Sequence, residues 1–115
     1  MSEGHRAERV AELLLRELSA TLLRELKDPR LSGVTLTSVR VSDDLRHAKV
    51  FFSHLEGAPR AREVMAGFQR ASGFIRREMG HKLGLRYAPE IDFEFDKGIE
   101  KAARIDALLR ATRSS

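Results

Sequence analysis

Apolar residues recur at helical spacing in the first quarter of the chain. They lie three or four positions apart between about Arg6 and Lys27, at Ala11, Leu15, Leu18, Leu22 and Leu26. Residues at this spacing share one side of an α-helix, so the pattern predicts an amphipathic helix. The leucines persist for too few heptads to favour a coiled coil. Because proline disfavours the α region for the residue before it, Asp28-Pro29 predicts the end of this helix.

The next two segments have the composition of β-strands. Residues 34–41 and about 47–53 are rich in β-branched and aromatic side chains. The cluster Ser42-Asp43-Asp44 lies between them, and these residue types are typical of turns. The pattern therefore predicts two antiparallel strands joined by a turn.

A longer helical pattern follows these strands. Pro59 suits the first turn of a helix and Gly84 suits its end. The apolar stripe of this helix consists of Val64, Phe68, Ala71, Ile75 and Met79. Gly73 lies inside the pattern, where a glycine costs about 1 kcal/mol relative to alanine. Its presence predicts either a bend between two helices or a close approach of the backbone to a partner.

Strict alternation marks a third strand after Pro89. Three apolar residues alternate with three acidic ones, in the order Ile91, Asp92, Phe93, Glu94, Phe95 and Asp96. This pattern predicts one buried face. Acidic side chains on the open face of a strand are common and discourage edge pairing, so they do not indicate a Mg²⁺ site. A short terminal helix is predicted over residues 99–109.

The element order predicts an α+β domain: helix, strand, strand, helix, kink, helix and strand, with the helices on one face of a three-stranded sheet. The chain has 115 residues, enough for one domain with its own core. The break at residues 56–59 is too short to be an interdomain linker. We expect residues 1–110 to form a single domain and residues 111–115 to be a disordered tail.

Composition narrows the function classes. The chain has no cysteine, no apolar run of membrane-spanning length and no signal-peptide pattern, so we expect a cytoplasmic protein with no membrane association. We also expect a monomer. The four histidines, His5, His47, His54 and His81, lack the spacing of metal ligands. Adjacent strand residues point to opposite faces, so Ser53-His54 is not a nucleophile–base pair. We expect no catalysis, no bound metal and no cofactor.

Charge is concentrated in the second helical segment. Between Arg60 and Tyr87 there are seven basic and two acidic residues, a formal charge of +5, whereas the rest of the chain sums to −1. Arg70, Gly73 and Arg77 lie on the side of the helix opposite the apolar stripe. Guanidinium groups beside a bare backbone can bind phosphate closely, so the segment predicts a surface for nucleic acid.

Several motifs in this order resemble the ribosome-binding factor A family of bacterial small-subunit assembly factors. The resemblance covers nearly the whole chain and is carried by residues 26–31 (LKDPRL), 45–50 (LRHAKV), 71–78 (ASGFIRRE), 99–100 (IE) and 104–106 (RID). It implies a KH-like fold of type II and a noncatalytic factor that binds free small (30S) ribosomal subunits. It further implies action near the 5′-terminal helix of 16S rRNA during its maturation, support of growth in the cold, and other assembly factors as further partners.

The resemblance also implies an interhelical kink at Ala71, Ser72 and Gly73. The chain lacks the Gly-x-x-Gly loop with which most KH domains clamp single strands, so we expect recognition of folded RNA by shape and phosphate. The candidate RNA-binding residues are Arg70, Ser72, Gly73, Arg76, Arg77, Lys82 and Arg86. The alternative is a protein-interaction module whose basic helix face binds an acidic partner.

Overall fold

The computed structural model describes residues 3–98, 105 and 108–111. Its main elements are α1 (Glu3–Arg24), β1 (Val34–Val41), β2 (His47–His54), α2 (Ala61–Leu83) and β3 (Glu90–Phe95). Single 3₁₀ turns at Pro29–Leu31 and Ala58–Arg60 precede β1 and α2. The predicted order of helices and strands is confirmed, except that α1 ends at Arg24 rather than near Lys27 and that α2 is a single helix.

The three strands form one mixed sheet in the order β1-β2-β3. As predicted, β1 and β2 are antiparallel, whereas β3 runs parallel to β2. The register of β1 shifts between Leu36 and Ser38, so Thr37 is an extra residue in that strand. Because of this bulge, Val34 and Leu36 face the core before it, and Val39 and Val41 face the core after it.

Both helices pack on one face of this sheet. The stripe predicted for α2 is confirmed, with Val64, Phe68, Ile75 and Met79 buried. Phe68 stacks on Phe93 at 3.9 Å between ring centroids, which joins α2 to β3.

The buried stripe of α1 is centred differently from the prediction. Leu14 and Leu18 are fully buried, while Leu15 and Leu22 lie at the margin of the core. Consecutive leucines at positions 13–15 make the apolar arc of this helix wide, and spacing alone does not choose its centre.

The structure has one helix where the sequence predicted two helices joined by a kink at Ala71, Ser72 and Gly73. Helix α2 is continuous over 23 residues, and Gly73 is not among the glycines with positive φ. Phe68 and Ile75 are buried on either side of Gly73, and this burial exceeds the cost of one glycine of about 1 kcal/mol. At the far end, Gly84 adopts the left-handed conformation and ends the helix as predicted.

Most of the predicted terminal helix lies outside the described residues. Residues 105 and 108–111 are helical, whereas residues 99–104 and 106–107 are not described. Residue 111, which was predicted to belong to the tail, is helical, and residues 112–115 lie outside the described part.

Candidate nucleic-acid interface

A shallow groove of about 440 Å³ runs between the C-terminal half of α2 and the loop that leads to β3. It is lined by Gly73, Arg76, Arg77, Gly80, His81, Leu85, Arg86 and Ala88. Four of the residues predicted to contact RNA therefore lie together in one depression: Gly73, Arg76, Arg77 and Arg86.

Helical spacing places these side chains on the groove. Arg76 and Arg77 each lie three or four residues from Gly73 and from Gly80, and all four lie away from the buried stripe. A Cβ added at Gly73 would meet no atom within 4 Å, so the backbone there is open. A Cβ added at Gly80 would lie 3.3 Å from the Ala88 Cβ, so this glycine lets the loop pack closely against α2. Gly73 therefore leaves the backbone open, whereas Gly80 allows close packing.

The groove arginines have donors available for a ligand. Within the part of the chain that the structure describes, Arg76, Arg77 and Arg86 form no ion pair. Arg76 and Arg77 are also exposed. A guanidinium group presents a planar fork of N–H donors that matches phosphate oxygens. This arrangement can bind two or more phosphates of a nucleic-acid backbone.

Lys82 was predicted to contact RNA, but its ammonium group already has protein partners. Its Nζ donates to Thr21 Oγ1 at 2.9 Å and lies 3.6 Å from Glu25 and 3.9 Å from Glu78. Thr21 is only 1% exposed and is a buried polar residue of the core. The contacts join α1 to α2, so Lys82 has a structural role and lies outside the groove lining.

Arg70 and Ser72 are exposed but do not line the groove. Arg70 lies toward the turn before β1, where its charge contributes to a lowered pKa of Asp28. The larger causes of that lowering are the side-chain and backbone hydrogen bonds from Arg30 to the Asp28 carboxylate. The residues predicted to contact RNA therefore do not all lie together: some line the groove, and others lie elsewhere on the surface of α2.

A second cleft, of about 540 Å³, continues from the groove at the end of the sheet. The two depressions share Arg76, Leu85, Arg86 and Ala88. The remaining lining residues of the cleft are Arg6, Asp44, Leu45, Arg46, His47, Tyr87 and Glu90. We call the groove and this cleft together the basic surface; it contains five arginines and two carboxylates.

Sequence reasoning missed Arg6 and Arg46 because both are far in sequence from the basic segment. Arg6 comes from α1, and Arg46 follows Leu45, which has a positive φ of 62° in the turn between β1 and β2. A non-glycine residue in this conformation is uncommon and is found at functional sites more often than elsewhere. The available sequence signal for this turn was the family motif at residues 45–50.

Both carboxylates of the cleft already have partners. Asp44 Oδ1 accepts hydrogen bonds from Ser42 Oγ at 2.6 Å and from the Arg46 backbone N–H at 3.0 Å. These bonds lower the pKa of Asp44, and the bond from Ser42 has the larger effect. Glu90 Oε2 lies 3.4 Å from His47 Nδ1. The two carboxylates keep their negative charge but are outnumbered by the five arginines, so the surface favours an anionic ligand.

Glu94 of β3 and Asp96, directly after that strand, also have protein partners. Glu94 pairs with Lys49 at 3.4 Å, and Asp96 Oδ2 accepts a hydrogen bond from Thr37 Oγ1 at 2.6 Å. Among residues 3–98, 105 and 108–111, no three histidine or acidic side chains are grouped as metal ligands. No helix in that part of the chain is long and apolar enough to cross a membrane.

The sequence profile of one protein family, described as Ribosome-binding factor A, matches residues 6–109. A protein of that name from Desulfitobacterium hafniense is 47% identical over 109 residues, which are 95% of this chain and 87% of the relative. The solution structure of a Thermotoga maritima protein described as a putative ribosome binding factor A has a TM-score of 0.61 at 34% identity. The aligned part covers 78% of this chain and 82% of that one.

A second similar structure shows the fold at lower identity. It is a homology model of the Thermus thermophilus ribosome binding factor A, fitted into a cryo-EM map of a complex of that factor with the 30S subunit. The TM-score is 0.57 and the identity 22%, over 79% of this chain and 91% of the other. The three-stranded sheet with helices on one face is shared with these KH-like structures.

Proposed function

Because the chain belongs to the ribosome-binding factor A family, we propose that it binds the free small ribosomal subunit through the basic surface and acts in subunit assembly. The Thermus thermophilus relative, which was fitted into a map of a 30S complex, supports this assignment of the partner. The protein acts as a noncatalytic monomer in the cytoplasm, near the 5′-terminal helix of 16S rRNA during its maturation, and supports growth in the cold. Other assembly factors are further partners.

The observation that carries the proposal is the groove on α2, where three arginines without ion pairs in the described chain surround an open glycine. Exposed arginines on one helix and on the loop that follows it can contact successive phosphates without first breaking an internal salt bridge. The open backbone at Gly73 lets RNA approach more closely than a side chain there would allow. Gly73, Arg76, Arg77 and Arg86 are therefore the proposed RNA contacts of the groove.

The fold favours recognition of folded RNA over reading of a long single strand. The groove lies along a continuous helix, and no Gly-x-x-Gly loop interrupts it. The rings of Phe52, Phe68 and Phe93 are packed against one another or against the core, so they are unavailable for stacking on bases. The affinity for RNA therefore comes mainly from contacts to phosphates and from the fit between the groove and the shape of the RNA.

Sedimentation with purified small subunits tests the proposal. The full chain is expected to sediment with free small subunits, and ribonuclease digestion of the exposed RNA is expected to release it. A control digestion with inactivated ribonuclease should leave the complex intact. A chain that does not sediment with small subunits contradicts the proposal, and a chain that stays with the protein fraction after digestion favours an acidic protein partner instead.

A further inference from the structure

Tyr87 is the single tyrosine of the chain, which has no tryptophan, and its ring lies in the cleft of the basic surface. The residue is 75% exposed. Within the described residues its one ring contact is with Arg86, whose guanidinium carbon lies 5.5 Å from the ring centroid. A large exposed aromatic ring that contributes nothing to the core is a common feature of binding sites.

The loop that carries Tyr87 is anchored on both sides of the ring. Ala88 packs against Gly80, Pro89 is fully buried, and the Glu90 backbone N–H donates to the Arg46 carbonyl at 2.8 Å. Leu85, which precedes Tyr87 in the loop, is half-buried. The backbone therefore presents the ring from a fixed position, which lowers the entropy that a ligand must overcome on stacking.

The surroundings of the ring suit one nucleotide. Arg6, Arg46 and Arg76 line the same cleft and come from α1, the β1–β2 turn and α2. A volume of about 540 Å³ lies within the range of about 300–1,000 Å³ typical of small-molecule sites. Cations around an exposed ring are the combination with which proteins bind an unstacked base and its phosphate.

We infer that this cleft holds one unpaired nucleotide of the bound RNA, with its base stacked on the face of Tyr87 opposite Arg86. Its phosphates lie against Arg6, Arg46 and Arg76. The inference rests on the proposed function, since it assumes that the basic surface binds RNA. A nucleotide fits better than an acidic peptide because the face of an aromatic ring is electronegative: it disfavours a carboxylate but stacks on any base.

Tyrosine-labelled protein tests the stacking directly, because the chain then gives the ring signals of one residue only. At low salt, a short oligoadenylate is expected to move these NMR signals upfield, as a base stacked on the ring does. An abasic ribose-phosphate chain of the same length is expected to bind without this shift. Replacing Arg6 and Arg46 together by glutamine should weaken the binding of both ligands.

Subunit binding supplies the second measurement. Tyr87→Ala should lower affinity for free small subunits by about 5- to 150-fold, the range that corresponds to one stacked base. Tyr87→Phe keeps the ring and should bind like wild type. The exposed residue Leu55 provides a control, because Leu55→Ala removes apolar surface from a residue that lines neither the groove nor the cleft.

Two results would overturn the inference while leaving the proposed function intact. The first is a tyrosine ring that does not respond to oligoadenylate in a protein that still sediments with small subunits through RNA. The second is a Tyr87→Ala protein with wild-type affinity for the subunit. If the first result is accompanied by loss of subunit affinity in Tyr87→Ala, it would indicate a protein segment in the cleft. Failure of the wild-type chain to bind subunits at all would instead contradict the proposed function.

Discussion

A Cβ atom added at Gly67 would lie 2.8 Å from Leu31 Cδ2, closer than side-chain carbons approach in folded proteins. Gly67 and Leu31 are both buried, and their contact joins α2 to the turn at Pro29–Leu31. The missing side chain therefore allows the motif at residues 26–31 to pack directly on α2. In this helix Gly67, like Gly80, allows a close approach of protein to protein.

Alanine at position 67 is therefore expected to destabilise the protein. The new methyl group must displace the Leu31 side chain, whose Cγ would also lie only 3.1 Å away, and overpacking of this kind costs about 1–3 kcal/mol. Urea unfolding of Gly67→Ala measures the decrease in the free energy of unfolding.

Gly73→Ala is the matched control, because it makes the same change on the open side of the same helix. No atom lies within 4 Å of a Cβ there and φ is not positive, so alanine should raise the free energy of unfolding by about 0.5–1 kcal/mol. Effects of the same sign in the two variants would contradict the distinction between a packed and an open glycine.

Lys82→Met should destabilise the fold without weakening the affinity for small subunits. It leaves the buried Thr21 hydroxyl without its 2.9 Å partner, which costs about 1–3 kcal/mol. Arg77 lies slightly more than one helical turn before Lys82. Arg77→Gln should show the reverse, with unchanged stability and weaker binding to small subunits. Thermal unfolding and subunit sedimentation of both variants check this, and weaker binding by Lys82→Met at wild-type stability would return Lys82 to the RNA contacts.

Asp28 is expected to make stability depend on pH in the acidic range. Hydrogen bonds from the Arg30 side chain and backbone N–H lower the pKa of Asp28 from 3.8 to about 2. A group with a lowered pKa in the folded state stabilises it fully above the unfolded pKa, so the contribution is present above about pH 4 and is lost as the pH falls toward 2. Unfolding of wild type and Asp28→Asn over this range should show a stability difference that shrinks with falling pH. A constant difference would contradict this role of Asp28.

The hydrophobic pattern was enough to predict the order of helices and strands because each element buries one face. The stripe of α2 and the alternation in β3 needed no knowledge of neighbouring elements. The bulge at Thr37 also has a sequence signal. The apolar residues of β1 have even numbers up to Leu36 and odd numbers from Val39 onward. No bulge was predicted from that change of parity.

The rest depended on long-range contacts. Gly67 and Gly73 are both glycines inside the same helical pattern, and only the position of Leu31 tells which of them is packed. Lys82 belongs to the basic segment by sequence, but Thr21 of α1 and Glu25, directly after that helix, lie beside it in the fold. Arg6 and Arg46 reach the basic surface from other elements. A local charge count detects none of these relationships.

The salt dependence of subunit binding tests the central claim most directly. Replacing Arg76 and Arg77 together by glutamine should weaken binding to free small subunits and reduce the slope of log K against log salt by about 1 for each phosphate that the variant no longer neutralises. Arg9 and Arg16 are exposed on α1 outside the basic surface, so their double replacement by glutamine removes the same charge and should change both quantities much less. Equal decreases of affinity and slope in the two double variants would contradict the assignment of the α2 groove as the face that binds RNA.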